Sequence, residues 1–226
     1  MSPYEPRTIA FAAELVHAPV PVETQKVQTV HGELFQNSEV SYQNFQVAQD
    51  GIHLSNPGAQ PNQVSVATVR PDRIIFREEF RPATVEDFAT RSVNVSQHLY
   101  ESLNVPASLV RVYSLRSLVN PQNFEDSRQL VGTRMLDAEA IASFGRPVGT
   151  AGVRFVFPGS TPTEPSYQLR IEPWTQEPRS LWIEVTAQCN RPIPAGELQG
   201  IGEELYAAYR FLSGPTLDFV KRFDQP

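Results

Sequence analysis

Two arginines five residues apart, Arg111 and Arg116, stand in a run of alternating side chains from Ser108 to Val119. Neighbouring residues of a strand point to opposite faces, so an odd separation puts the two guanidiniums on different sides. A strand covered on both faces must then bury one of them, and a buried guanidinium needs a counter-charge. That counter-charge is either a Glu or Asp of a packing helix or the carboxylate or phosphate of a ligand, which the planar fork grips with paired hydrogen bonds. A second charged set, Arg154, Arg170, Glu172 and Glu184, falls on one parity of the strand-like segments nearby. It reads as a ladder of cross-strand ion pairs or as a charged groove for a polar ligand. Trp182 shares its parity with Glu184 and Thr186. A Trp beside charges on a wet face is a recognition platform, or else it covers an edge under Arg179. Trp174 and Tyr167 lie in the adjacent extended segment. The candidate ligand-binding residues are therefore Arg111, Arg116, Arg170, Glu184, Trp182 and Trp174.

The catalytic motifs with a recognisable spacing are missing from the chain. It has no Gly-x-x-x-x-Gly-Lys phosphate loop and no Gly-x-Ser-x-Gly elbow, and Gly200-Ile201-Gly202 lacks the third glycine of a dinucleotide fingerprint. His17, His31, His53 and His98 are scattered, and Cys189 is the sole cysteine, so neither a zinc site nor an internal disulfide is expected. Cys189 reads as a small apolar filler. No cofactor, no metal and no catalytic residue is expected. An enzyme with a dispersed site would instead show itself by Glu78, His98 and Arg111 clustering around a cleft.

Composition narrows the partners. The chain has 226 residues, a net charge of −6, and only two lysines, Lys26 and Lys221, beside seventeen arginines. Without a basic run it is not expected to grip a phosphate backbone. No segment approaches the roughly 18 apolar residues of a membrane span. Residues 1–14 lack a basic stretch followed by an apolar one, so no leader is expected, and with a lone cysteine the expected location is the cytoplasm.

The elements that must position these residues read as one order run twice. Thr8–Leu15 reads as a strand and Val22–Phe35 as a helix with Val27, Val30 and Leu34 at helical spacing. Phe45–Leu54 holds a short strand or a hairpin with Asp50-Gly51 at its tip. Val64, Val66 and Thr68 alternate, Ile74–Phe76 supplies a partner strand, and Thr84 caps a helix with Glu86 and Asp87 in its first turn. After a seam at Val105-Pro106 come the long strand to Val119, helical segments over Phe124–Phe144 broken near Gly132, and three strands centred on 155, 169 and 183. The final helix carries Leu198, Ile201, Leu205, Ala208 and Leu212, with Gly214-Pro215 set to bend or split it. Its Phe219, Phe223 stripe docks as core, or forms a homodimer surface if exposed. The fold expected is α+β: a curved antiparallel sheet with helices mainly on one face, in two pseudo-equivalent β-α-β-β-β-α halves. Residues 1–103 and 106–226 are read as halves of one domain, since either alone would leave a sheet face and an edge uncovered.

The segments VRVYSLRSLVNP at Val110–Pro121, YQLRIEPW, AAYRFL and LDFVKRF follow a helix over Phe88–Leu103. This order resembles a sporadically distributed family of uncharacterised bacterial proteins of similar length. Arg111, Leu115, Arg116 and Asn120 are the matching motif positions, while Ser114 and Ser117 stand where that family has Gly and an aromatic residue. The resemblance implies the element order and a bacterial origin, and no activity. The functional expectation is a binding module that takes a peptide or protein partner on a sheet face or edge. A lipid or small-molecule carrier with a hollow under the C-terminal helix and a dispersed-site enzyme are the competing readings.

Overall fold

Two long strands from opposite halves of the chain form the centre of a single open antiparallel sheet. The computed structural model describes residues 4–37 and 41–225, so the first three residues of the segment read for a leader lie outside it. In chain order the strands are β1 (Arg7–His17), β2 (Asn44–Ala48), β3 (Gly51–Ser55), β4 (Val64–Arg70), β5 (Arg73–Glu79), β6 (Ala107–Val119), β7 (Val153–Phe157), β8 (Ser166–Pro173), β9 (Leu181–Cys189) and the two-residue β10 (Ile193–Pro194). Their order across the sheet is β2-β3-β4-β5-β1-β6-β9-β8-β7, with β10 paired to β6. Read outward from the β1–β6 pair, the two sides mirror each other: β5 answers β9, β4 answers β8 and β3 answers β7. The halves differ where the reading counted three strands after each first helix. Asp50-Gly51 closes a true hairpin, so β2 and β3 are separate strands, and the first half lays one strand more along the main sheet order, from which β10 stands aside. Gly51 sits at φ 143°, where a Cβ would approach the Val69 carbonyl oxygen to 2.7 Å, which explains glycine at the tip.

The helices of the first half are α1 (Thr24–Asn37) and α2 (Val85–Leu103). In the second half, α3 (Ser127–Leu130) runs into a π turn and α4 (Ala138–Ala142) follows, where the sequence reading placed helix up to Phe144. The chain closes with α5 (Gly200–Phe211), a π turn over Leu212–Thr216 and α6 (Leu217–Phe223). One face of every long strand supplies the core: Phe11, Ala13 and Leu15 of β1, Tyr113 and Leu115 of β6, Ile183 and Val185 of β9 are all buried. The buried stripes of α1 (Val27, Val30, Leu34), α2 (Phe88, Val95, Leu99) and α5 (Ile201, Leu205, Ala208) join them in one cluster. Phe88 stacks on Phe11 with ring centroids 5.3 Å apart. Burying an aromatic of that size contributes about 1.5–3 kcal/mol.

Helix α2 begins as its sequence dictates. The Thr84 hydroxyl accepts the Asp87 N–H at 3.1 Å and the Asp87 carboxylate accepts the Thr84 N–H at 3.4 Å, a reciprocal capping box. It ends at Asn104, whose left-handed φ of 55° releases the chain toward Pro106. Thr84→Ala is expected to cost about 1 kcal/mol, read as a lower urea midpoint with unchanged m. A midpoint equal to that of the parent would show that the box does not hold the helix start.

Candidate functional site

The sheet ends on β2 at one side and on β7 at the other. Among the described residues β7 pairs with β8 alone, from Val153 opposite Ile171 to Phe157 opposite Tyr167, which leaves its far edge free. Gly152 lets the chain enter that edge closely: a Cβ there would lie 2.9 Å from the Ile171 carbonyl oxygen and the Glu172 Cβ. Alternation turns Val153, Phe155 and Phe157 to the helix-covered face and Arg154 and Val156 to the open one.

The C-terminal helix passes over those phenylalanines. Pro215 has no N–H to give its ladder, and the chain widens there into the π turn between α5 and α6. The two helical pieces then present Phe211 and Phe219 to the strands on either side of the break. Phe219 meets Phe155 edge-on at 5.3 Å, Phe211 meets Phe157 edge-on at 5.4 Å, and Phe211 stacks on Tyr167 at 4.5 Å. Between them lies a cleft of about 440 Å³, floored by Leu169 and bounded by Pro215, Thr216, Asp218 and Arg222. The Thr216 hydroxyl is buried and has no hydrogen-bond partner among the described residues.

Four of the six predicted ligand residues meet elsewhere, on the open face of the sheet. Arg116, Glu184 and Arg170 occupy one cross-strand row, and Trp182 projects from the same face of β9. Arg116 Nε donates to Glu184 Oε1 at 2.8 Å, Arg170 reaches the other Glu184 oxygen at 3.8 Å, and the Arg170 guanidinium lies 5.1 Å over the Trp182 ring. Toward the centre, Ala10, Ala12 and Ser114 floor a depression of about 310 Å³ walled by Arg77, Glu79, Glu14 and Arg116. Its charges neutralise one another: Arg77 pairs with Glu79 at 2.8 Å and Arg73 with Glu14.

The other two residues are apart from this group. Arg111 is fully buried beneath α5, where Glu204 takes its Nε at 2.9 Å and its Nη2 at 2.7 Å. Of the two partners open to it from sequence, the helix carboxylate occupies the fork. Trp174 follows Pro173, past the end of β8, and borders a small pocket with Arg128 and Pro178. Glu78, His98 and Arg111 have separate surroundings. Glu78 is held by Ser65 at 2.8 Å and by Arg91, while His98 bonds the Asn94 carbonyl on its own helix.

The perturbed titrations belong to packing. Burial pushes the Cys189 thiol up to about 12, with Glu204 adding to the effect, so it stays protonated at neutral pH. Burial also raises Glu78 above the usual carboxylate range against the pull of Arg91. Among the described residues, no group of three or more His, Cys, Asp or Glu is placed to hold a metal ion, and no helix is long and apolar enough to cross a membrane.

A hollow of a few hundred Å³ under the C-terminal helix is what the carrier reading expected from sequence; the part that reading did not assemble is its wall, Phe155 and Phe157 of an edge strand. Its signals were present as separate observations: the Phe219, Phe223 stripe, the Gly214-Pro215 break and the alternation around Phe155. Only the sheet order places the break over an edge strand. The sequence matches no protein-family model and no curated protein.

Proposed function

We propose that the protein is a binding module that takes an extended peptide as an added strand along β7, with alternate side chains of the peptide entering the cleft under the C-terminal helix. The observation that carries this reading is the adjacency of an unpaired strand edge and an aromatic-walled groove. A free edge offers backbone N–H and C=O groups that no side chain has to supply, and a neighbouring groove sorts the alternate side chains. Phe155, Phe157, Phe211 and Phe219 give that groove large rigid walls, the type of contact that dominates binding energy.

A carrier of small apolar molecules is the second reading, because the cleft volume falls within the range of ligand sites. Backbone chemistry separates the two. Titrations of labelled seven-residue peptides with alternating apolar positions, read by fluorescence polarisation, are expected to show saturable binding. N-methylation of every second amide should weaken it by tenfold or more, and N-methylation of the intervening amides should not. Phe219→Ala should weaken binding roughly tenfold, as truncation of an aromatic anchor does. Binding that ignores the position of N-methylation, or that a fatty acid matches with equal affinity, would favour the carrier.

A further inference from the structure

We propose that the partner strand carries an acidic residue flanked by apolar ones, and that Arg154 selects it; this rests on strand addition at β7. The open face bears a row of charges, one from each strand: Arg116 on β6, Glu184 on β9, Arg170 on β8 and Arg154 on β7. The signs alternate until the last step, where Arg154 stands directly opposite Arg170. Like charges directly opposed across two strands repel. Arg170 is relieved by Glu172 at 3.0 Å and by Glu184 at 3.8 Å. Arg154 is exposed, and its hydrogen bond among the described residues goes to a neutral group, the Gln168 amide oxygen, at 2.7 Å.

The next position in this row belongs to whatever pairs with the free edge of β7. A carboxylate there faces Arg154 and restores the alternation of sign. The residues on either side of that carboxylate point to the opposite face of the added strand. They enter the cleft walled by Phe155, Phe157, Phe211 and Phe219, which takes apolar side chains. Arg222 and Asp218 share the rim of that cleft, so the selecting charge is Arg154 on the open face. The net charge of the chain is −6, so this preference for an acidic residue is local to the β7 edge.

The test uses three labelled peptides, identical except for Glu, Ala or Lys at the central position, titrated with the full chain, Arg154→Glu and Arg154→Gln. The parent should bind the Glu peptide about two- to five-fold more tightly than the Ala peptide and the Lys peptide least tightly. Arg154→Glu should reverse that order, Arg154→Gln should flatten it, and high salt should shrink the differences in the parent. Equal affinity of all three peptides for all three proteins overturns the charge preference and leaves strand addition standing. Failure of every peptide to bind the parent overturns both.

Discussion

Arg111→Ala is expected to lower the unfolding free energy by about 3–5 kcal/mol, the cost of breaking a buried ion pair by removing one partner. The guanidinium has no exposed surface, and its fork is filled by Glu204 at 2.9 and 2.7 Å, with Nη1 donating to the Ser108 carbonyl at 3.2 Å. Glu204 also accepts the Tyr113 hydroxyl at 2.8 Å. Alanine leaves that half-buried carboxylate without its counter-charge and removes the donor to Ser108. Changing both partners to apolar residues, Arg111→Met with Glu204→Leu, should cost far less than the sum of the single changes, because no charge is then stranded. Urea unfolding followed by circular dichroism gives all the energies. A loss under 1 kcal/mol in Arg111→Ala would mean that the pair does not hold α5 on β6. Arg111 is thereby a positioning residue for the proposed site: α5 leads directly into the π turn that aims Phe211 and Phe219 at β7.

Local patterns were legible in the sequence, and long-range order was not. The alternation in 167–171 and 181–185 gave the correct faces, so Arg170, Trp182 and Glu184 appear together as their parity required. The Thr84 cap, the Asp50-Gly51 hairpin and the break at Gly214-Pro215 rest on single residues with strong backbone preferences, and all three appear. The pairing of β1 with β6 joins segments about a hundred residues apart, and no local propensity encodes it. Because that pairing fixes which strands end at the edges, the free flank of β7 was not legible either. The same limit applies to Arg111: parity set it on the opposite face from Arg116 without choosing which of the two is covered, and its carboxylate lies 93 positions further on. Trp174 left the expected group because β8 stops at Pro173. The chain turns there, with the Trp174 N–H donating to the Ser180 carbonyl at 2.8 Å, and the alternation that would have aligned Trp174 with Trp182 ends.

Asp224→Ala should loosen the helix that roofs the aromatic cleft and lower overall stability by about 1.5–3 kcal/mol, the contribution of hydrogen bonds to a charged acceptor. Asp224 follows α6 and is buried. Its carboxylate accepts the Gln122 N–H at 2.6 Å and the Asn123 N–H at 2.9 Å, together with the Tyr4 hydroxyl. Its own carbonyl accepts the Asn123 side-chain amide at 2.8 Å. The end of the chain is thus tied both to the turn after β6 and to the N-terminal segment. Burial alone would raise this carboxyl, but the Tyr4 hydroxyl and the two amides more than offset it and hold it below the usual range. A folded-state value below the unfolded value of about 3.9 makes the contribution complete above that pH and lost as pH falls through the folded value. The parent and Asp224→Ala should therefore differ in Tm by roughly 3–12 °C at pH 7 and converge in strong acid. At pH 7, amide exchange over Leu217–Phe223 should accelerate in the variant before exchange in β1 or β6 does, and peptide affinity should fall with it. An equal Tm at pH 7, or faster exchange spread evenly through the sheet, would show that α6 is held over the cleft by Leu217 and Val220 alone.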